Sequence, residues 1–280
     1  MNLADTNIVR SLCKKHHIKP SRQHGQNFLI DNDAVQTIIK AADLQPEDVV
    51  LEVGPGFGAI TKELAKNAGK VLAVEIDKKF VSILNQAFAE RHNVKIVKDD
   101  ILRMDLFDLE IKDLEYKIVS NLPYNITSHF IRQRLTQSPR PKQLVLVVQK
   151  EVAERICAKA GEMSLLSVSV QFYAQPVLTK IVPRTSFWPK PEVDAAIVKI
   201  GKIGKHRDNL VGKDFDEKRF FQIVRIGFSS RRKMLKNNLA TGLKVSNDKI
   251  EQMLEKAGLD KKIRAQDLGM EHWIRLVKLI

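Results

Sequence analysis

The chain has 280 residues, 44% of them hydrophobic, and a formal net charge of +14 at pH 7. At roughly 150 residues per domain this length predicts about two domains, and the positive charge predicts a polyanionic partner. Only two cysteines occur, outside any Cys-x-x-Cys spacing, and no apolar run approaches a membrane span, which disfavours a disulfide framework, a thiolate metal centre and a membrane protein. We therefore expect a cytoplasmic protein.

The positive charge is concentrated at the two ends of the chain. Residues 202–280 hold 19 Lys and Arg against 10 Asp and Glu, and residues 1–24 hold five against one. The segment 1–24, which includes Arg10, Arg22 and His24, is expected to be a mobile basic arm. Such charges often only solvate a surface. This distribution instead favours basic segments that bind nucleic acid and flank a nearly neutral catalytic domain.

Predicted strands and helices alternate through the middle of the chain. A helix is predicted over 34–42, and further helices lie near 60–67, 78–89 and 127–137. Apolar runs predict the strands 48–53, 71–76, 94–97, 116–120 and 143–149. This alternation predicts a mainly parallel sheet with helices on both faces.

The pattern changes after residue 200. Glycines among charges predict a linker at 201–214, and the pattern is helical from Asp216 onward. Apolar residues at helical spacing form a predicted core stripe of Phe220, Phe221, Val224 and Phe228. Five cations are expected along a neighbouring face: Arg225, Arg231, Arg232, Lys233 and Lys236.

A glycine-rich turn follows the first predicted strand. The apolar run Val49–Val53 leads into Gly54-Pro55-Gly56-Phe57-Gly58, and a helical pattern comes next. Glycines let the backbone approach a ligand closely, and a helix N-terminus offers free N–H groups. The dinucleotide fingerprint fails because Ala59 occupies its sixth position. Gly-x-Gly-x-Gly is instead the S-adenosylmethionine form of the loop, although glycine-rich turns between a strand and a helix are common.

Acidic residues end the next two strands. Glu75 follows the glycine loop by about 20 positions, where a carboxylate can accept hydrogen bonds from ribose hydroxyls. Asp99 and Asp100 end the strand after it, and a carboxylate there can accept from an adenine amino group. The alternative to a ligand-binding role is that each of these acids is an ordinary carboxylate at a strand end. Asp77 is expected to cap the next helix.

The tetrapeptide Asn121-Leu122-Pro123-Tyr124 lies at the end of the strand 116–120. A planar base with an amino group needs an acceptor in its plane and an aromatic ring on its face. Asn121 offers a carboxamide oxygen, Pro123 is expected to have a free carbonyl, and Tyr124 can stack. The alternative is a plain strand–turn–helix corner with a half-buried tyrosine.

With these motifs and the segments Gly25–Leu29, Gln149–Val152 and Phe187–Asp194, the chain resembles the KsgA/RsmA-type rRNA adenine N6,N6-dimethyltransferases over nearly its whole length. The resemblance implies an α/β fold, a Rossmann-like class I methyltransferase whose mainly parallel sheet has an antiparallel edge at 178–182 and 193–200, with a small C-terminal all-α domain. The expected divisions are a basic arm (1–24), a methyltransferase domain (25–200), a linker (201–214) and a helical basic RNA-binding domain (215–280).

The resemblance also implies roles for single residues. The cofactor S-adenosylmethionine is expected to contact Asn27, Leu29, Gly54, Glu75, Asp100 and Asn121. The catalytic residues are expected to be Asn121, Pro123, Tyr124 and Phe187, with Phe187 closing the second face of the base unless it is a core residue. Phosphates of RNA are expected at Arg231, Arg232 and Lys233. No metal ligand is implied, because a sulfonium is a strong methyl donor by itself.

The implied reaction is dimethylation of the N6 amines of two adjacent adenosines near the 3′ end of small-subunit (16S) rRNA, with a role in small-subunit biogenesis. The expected partner is rRNA within a small ribosomal subunit or its precursor, and the protein is expected to be a monomer. Enzymes of the antibiotic-resistance type, which methylate large-subunit rRNA, usually carry Ile where this chain has Leu122. DNA adenine methyltransferases usually have a second proline there. A mainly non-catalytic ribosome assembly or nucleic-acid-binding factor is a further alternative, against which the intact Gly54, Glu75, Asn121 and Tyr124 argue.

Overall fold

The long apolar runs of the sequence form the strands of one sheet. The structure, a computed structural model, describes residues 3–21, 25–212 and 215–280, so Arg22, His24 and the end of the expected linker at 213–214 lie outside the described residues. The strands of the described part are β1 (Phe28–Leu29), β2 (Val49–Val53), β3 (Lys70–Glu75), β4 (Val94–Lys98), β5 (Tyr116–Asn121), β6 (Gln143–Gln149), β7 (Gln175–Val182), β8 (Phe187–Trp188) and β9 (Ala195–Gly201). Seven of them form a sheet in the order β4-β3-β2-β5-β6-β9-β7, and β1 pairs with β8.

The sheet is mainly parallel, as predicted. Strands β4, β3, β2, β5 and β6 are parallel to their neighbours, whereas β9 is antiparallel to β6, with Leu144 opposite Ile200 and Gln149 opposite Ala195. The side chains of Leu144 to Val148 are fully buried, because helices cover both faces of a parallel sheet. The carboxyl ends of β2, β3 and β5 therefore bring the glycine loop, Glu75 and Asn121 to one edge.

The helices around this sheet begin at identifiable caps. They are α1 (Thr6–Lys15), α2 (Asn32–Ala42), α3 (Ala59–Asn67), α4 (Lys78–Ala87), α5 (Thr127–Thr136) and α6 (Lys150–Ile156). Asp31 caps α2 by accepting from the N–H groups of Asp33 and Ala34. Asp77 caps α4 by accepting from the Lys79 N–H over 2.8 Å, which confirms that Asp77 has a capping role.

The expectation of a mobile arm is wrong for residues 6–15, which form the helix α1. Asp5 caps this helix by accepting from the N–H groups of Asn7 and Ile8. Val9 and Cys13, one helical turn apart, are buried in an apolar cluster. The basic residues of the segment hid this apolar spacing, so the helix was missed.

The C-terminal part of the chain contributes to a second compact unit, formed by Glu154–Gln175 and Gly204–Ile280, while Met1–Ala153 and Pro176–Ile203 form the first. The helices of the second unit are α7 (Leu165–Tyr173), α8 (Lys205–Val211), α9 (Glu217–Gly227), α10 (Leu235–Leu243), α11 (Asn247–Lys256) and α12 (Met270–Leu279). Phe220 and Val224 are buried as predicted, whereas Phe221 and Phe228 are half-buried.

These boundaries differ from the expected ones in two places. The helix α8 lies inside the expected linker, and residues 154–175 belong to the helical unit instead of the methyltransferase domain. The physical reason is the ring of Phe172 on α7, which stacks on Phe220 with centroids 4.7 Å apart and also contacts Phe215 and Phe221. The aromatic stripe of α9 thus packs on a helix that is distant in sequence.

Candidate active site

A cavity of about 440 Å³ opens at the carboxyl ends of the parallel strands. Its walls include every residue for which a cofactor contact was expected, namely Asn27, Leu29, Gly54, Glu75, Asp100 and Asn121. Pro123 also lines it. A volume of this size lies within the range of roughly 300–1,000 Å³ that small-molecule sites occupy. The structure therefore brings together these residues from five separate segments of the sequence at one concave site.

The glycine loop forms one wall of the cavity through its backbone. Gly54, Gly56 and Gly58 have φ angles of 63°, 57° and 85°, in a region that side chains disfavour. A Cβ on Gly58 would also lie 2.7 Å from the Phe88 ring. The residue before helix α3, Gly58, makes no side-chain cap, and the Thr61 N–H is bonded to the Glu52 carboxyl. The N–H groups of the first two residues of the helix are therefore the ones placed for an anionic group of a ligand.

Glu75 is a buried acceptor on the opposite side of this loop. Its side chain accepts from the Asp77 N–H over 2.9 Å and from the Gly56 N–H over 3.4 Å, and the residue is 6% exposed. Burial raises the pKa of Glu75, although both hydrogen bonds oppose the shift. These bonds fix the carboxyl group and leave further lone pairs for hydroxyl donors of a ligand.

A second buried acid, Glu52, lies beneath the same loop. It is 2% exposed, and its Oε2 accepts from the Thr61 hydroxyl over 2.6 Å. Burial, reinforced by the nearby Glu75 charge, raises the pKa of Glu52 to about 8. Glu52 is therefore mainly protonated at neutral pH, so it adds little negative charge to the region of the glycine loop.

The remaining wall combines an acid with apolar surface. Asp100 accepts from the Leu102 N–H over 3.0 Å, and its carboxylate lies 3.5 Å from Arg103 Nε. Ile76 is 62% exposed and lines the cavity directly after Glu75. Sequence reasoning missed Ile76, although an apolar residue between two acids at a strand end is a usable signal of a flat ligand face.

The Asn121 side chain is held in one orientation. Its Nδ2 donates to the Asn27 carbonyl oxygen over 3.0 Å. Because only the NH₂ end of an amide can donate to a carbonyl, Oδ1 is the end left to accept from a ligand. The two segments also approach closely, since a Cβ on Gly25 would lie 3.3 Å from the Pro123 Cβ. The segment 25–29 therefore orients the acceptor of the tetrapeptide.

The expectation that the Pro123 carbonyl is free is wrong. This oxygen accepts from the Ile126 N–H and from the Thr127 hydroxyl, each over 3.2 Å. A carbonyl has two lone pairs, and both are used to start the helix α5. The adjacent Leu122 carbonyl is then the candidate for a second acceptor beside Asn121 Oδ1.

The two aromatic residues expected to stack on the base are Tyr124 and Phe187. Neither ring is among the described residues that line the cavity. Tyr124 is half-buried, its hydroxyl has no hydrogen-bond partner among the described residues, and burial raises its pKa to about 12. Phe187 is 2% exposed, pairs with Leu29 and lies in the core cluster, which supports the alternative of a packing role. Their stacking roles stay predictions.

The basic triplet Arg231, Arg232 and Lys233 lies in the second unit. All three side chains are exposed in the connection between α9 and α10. The buried Asn238 supports this connection, because its Nδ2 donates to the Gly227 and Ser230 carbonyls over 2.7 and 3.0 Å. The triplet is thus displayed on a braced turn.

The expected row of five cations along one helix face is wrong. Arg225 is on α9 and donates to the Phe221 carbonyl, whereas the triplet follows the end of that helix. Lys236 is on α10, and its Nζ lies 2.5 Å from Glu251 Oε1. A carboxylate therefore already neutralises Lys236, and the three loop cations remain as candidates for a polyanion.

Three further findings apply only to residues 3–21, 25–212 and 215–280. No group of three or more His, Cys, Asp or Glu side chains is arranged to hold a metal ion. No helix is long and apolar enough to cross a membrane. Cys13 is buried and Cys157 is half-buried.

Relatives of known sequence agree with these motifs. Residues 17–280 match the family model described as ribosomal RNA adenine dimethylase. The ribosomal RNA small subunit methyltransferase A of Dehalococcoides mccartyi is 43% identical, with 96% of this chain and 91% of that protein aligned. The protein of the same name from Moorella thermoacetica is 39% identical, with 96% of each chain aligned.

Solved structures confirm the methyltransferase fold. The 23S rRNA methyltransferase ErmE has a TM-score of 0.73 at 26% identity, and the match covers 90% of this chain and 99% of that one. A dimethyladenosine transferase from Plasmodium falciparum also has a TM-score of 0.73, at 25% identity, with 88% of this chain and 94% of that one covered.

The buried Glu52 leads to a stability prediction. Folded Glu52 keeps its proton up to about pH 8, whereas the unfolded chain loses it near pH 4.5. The free energy of unfolding should therefore fall with rising pH between these values, by up to about 1.4 kcal/mol per pH unit. Glu52→Gln should lack this slope. In urea unfolding, the stability of the variant relative to the wild type should therefore rise from about pH 5 to about pH 8.

Glu90→Gln, at an exposed position, is the matched control and should keep the wild-type slope. Parallel pH profiles for Glu52→Gln and the wild type would show that the carboxyl is ionised inside the folded protein.

Proposed function

Because this chain belongs to the ribosomal RNA adenine dimethylase family, we propose that it transfers methyl groups from S-adenosylmethionine to the exocyclic amines of adenosines in small-subunit ribosomal RNA. The observation that carries the proposal is the single cavity lined by the glycine loop, Glu75, Asp100 and the oriented Asn121 side chain. The proposed targets are two adjacent adenosines near the 3′ end of that RNA, each dimethylated.

The residues of the cavity fit this cofactor. The N–H groups of the first two residues of α3 suit its methionine carboxylate, and the fixed carboxyl of Glu75 suits the ribose hydroxyls. Asp100 offers an acceptor for the adenine amino group, beside the exposed apolar side chain of Ile76. The cofactor supplies an electrophilic methyl group on a sulfonium, so the protein needs no nucleophile of its own.

The residues at the end of β5 act on the target base. The lone pair of an adenine amine is delocalised into the ring, which makes the amine a poor nucleophile. We propose that Asn121 Oδ1 and the Leu122 carbonyl accept its two N–H groups and so turn the lone pair out of the ring plane. Such positioning lowers a barrier by several kcal/mol. The same oriented dipoles stabilise the positive charge that develops on the amine.

The base must leave its stack to enter a pocket of this kind. Tyr124 follows the two acceptors directly in the chain, and its stacking on the base remains part of the proposal. Phe187 is placed over the second face only as a prediction, since its ring is buried in the core of the described structure.

Similarity favours small-subunit over large-subunit rRNA as the substrate. The relatives at 39–43% identity carry the small-subunit name, whereas ErmE, whose name refers to 23S rRNA, is 26% identical. Leu122 in the tetrapeptide agrees with this choice. The bond that orients Asn121 favours an enzyme over a purely non-catalytic assembly factor, because binding alone does not require a fixed acceptor in the cavity.

The exposed basic triplet is proposed to hold the RNA through its phosphates. Residues 202–280 carry 19 Lys and Arg against 10 Asp and Glu, and Arg231, Arg232 and Lys233 are exposed there on a braced turn. Arginine and lysine at such positions neutralise phosphates and position a nucleic acid without reading its sequence. We propose that the protein acts as a monomer on rRNA within a small ribosomal subunit or its precursor.

Asn121→Ala should lower methyl transfer by about 10²–10³-fold, the usual cost of removing one preorganised polar group. Affinity for S-adenosylmethionine, measured by calorimetry, should change much less. The assay measures transfer of labelled methyl groups by the protein to small ribosomal subunits, large-subunit RNA and duplex DNA. Nucleoside analysis then identifies the modified base in each product. We expect N6,N6-dimethyladenosine in the small subunits.

Near-normal turnover by Asn121→Ala would contradict the role of Asn121 as an acceptor. Labelling of large-subunit RNA alone would contradict the proposed substrate. If the wild type labels none of the three substrates, the result favours the alternative of a non-catalytic assembly factor.

The triple variant Arg231→Ala, Arg232→Ala, Lys233→Ala should bind RNA more weakly and with a flatter salt dependence. Each lost phosphate contact reduces the slope of log K against log salt by roughly 0.7–0.9. Filter binding over a salt series measures this slope. Replacing Lys249, Lys256 and Lys278 by Ala removes the same charge from exposed positions elsewhere in the unit and should leave the slope nearly unchanged. Equal slopes for the two triple variants would show that the triplet only solvates the surface.

A further inference from the structure

The N-terminal segment contributes to the wall of the cavity. Leu3 and Val9 line the same space as Glu75 and the glycine loop, and Val9 is 1% exposed. Both residues precede the part of the chain that matches the family model, which begins at residue 17. The motifs of the sequence therefore do not account for this wall.

The helix α1 rests on residues that themselves belong to the cavity. Val9, Cys13 and Ile18 are buried in one apolar cluster with Phe57 and Phe80. Phe57 is part of the glycine loop, and both phenylalanines line the cavity. The position of the helix and the shape of the cavity thus depend on the same side chains.

Two polar contacts tie α1 and the turn after it to other described residues. The Arg10 guanidinium lies 5.7 Å from the centre of the Trp188 ring, and Lys79 Nζ donates to the His17 carbonyl over 3.3 Å. The helix has ten residues, and isolated helices of that length are marginal in water. Its folding therefore depends on docking against the apolar cluster, and such elements open locally at low cost.

We propose that α1 is an element of the cofactor-binding site, and that docking of α1 and binding of the cofactor stabilise each other through Leu3 and Val9. The identity of the cofactor rests on the proposed function. An undocked α1 removes two apolar side chains from the wall, so the open form binds the cofactor less tightly. Because linkage is reciprocal, bound cofactor raises the equilibrium constant for docking of α1 by the same factor as docking raises the affinity for the cofactor.

Cys13 provides a direct readout of docking. It is buried under the helix but is not among the described residues that line the cavity, so a ligand there does not shield it by contact. The chain has two cysteines, and Cys157→Ser leaves Cys13 as the single thiol. The test measures alkylation of Cys13 by iodoacetamide in the full-length protein, with and without saturating S-adenosylmethionine, which should slow the reaction by about 5–150-fold.

Two variants test the reverse direction of the coupling. Val9→Ser and Leu3→Ser should each weaken S-adenosylmethionine binding in calorimetry and speed the alkylation of Cys13 in the absence of cofactor. Leu3 is half-buried, so its replacement leaves the sheet intact even where Val9→Ser destabilises the cluster. Lys14→Ala with Lys15→Ala changes only the exposed face of the same helix and should alter neither quantity.

The outcomes separate this inference from the proposed function. An absence of S-adenosylmethionine binding by the wild type contradicts both. Binding by the wild type with no protection of Cys13 contradicts this inference alone, as does unchanged affinity in Leu3→Ser. Protection of Cys13 together with weaker binding by Leu3→Ser establishes the coupling.

Discussion

The hydrogen bond from Asn121 Nδ2 to the Asn27 carbonyl is the contact on which the proposed chemistry of this protein depends. It joins two segments that are 94 residues apart in sequence and sets which end of the amide faces the ligand. An amide that could flip would present a donor to an adenine amine as often as an acceptor. Fixing it gives an acceptor without spending binding energy on reorganisation during the reaction.

The buried acids below the cavity complement this orientation. Glu75 is held by backbone N–H groups from both sides, whereas Glu52 is bonded to Thr61 and has its pKa raised to about 8. In the proposed function Glu75 offers fixed lone pairs to the ribose, while Glu52 stays mainly neutral under the loop. Two fully ionised buried carboxylates at this place would repel each other and strain the glycine turn between them.

Sequence reasoning succeeded where a local pattern determines the structure. The predicted strand 143–149 coincides with β6, because a long apolar run at that position suits only a central parallel strand. The family resemblance implied the cofactor positions from Asn27 to Asn121, and these residues line one cavity. Glu75, Asp100 and Asn121 meet there because the ends of parallel strands share one edge of the sheet. Their contacts with the cofactor stay predictions.

The features that could not be predicted from the sequence depend on tertiary contacts. The Pro123 carbonyl is occupied because Ile126 and Thr127 follow as the first turn of α5, a geometry that the tetrapeptide alone does not specify. The burial of Phe187 follows from its pairing opposite Leu29, which the sequence did not indicate, and its stacking role stays a prediction. The helix α7 joins the second unit through Phe172, a contact with residues some 50 positions later that no local pattern could indicate.

The most direct test of the central claim is a crystal structure of the protein with a non-reactive analogue of S-adenosylmethionine and adenosine. We expect the exocyclic amine within about 2.7–3.2 Å of both Asn121 Oδ1 and the Leu122 carbonyl, with Nδ2 still bonded to Asn27. An amine bonded to the Pro123 carbonyl instead, or an Asn121 side chain released from Asn27, would contradict the proposed orientation of the acceptor.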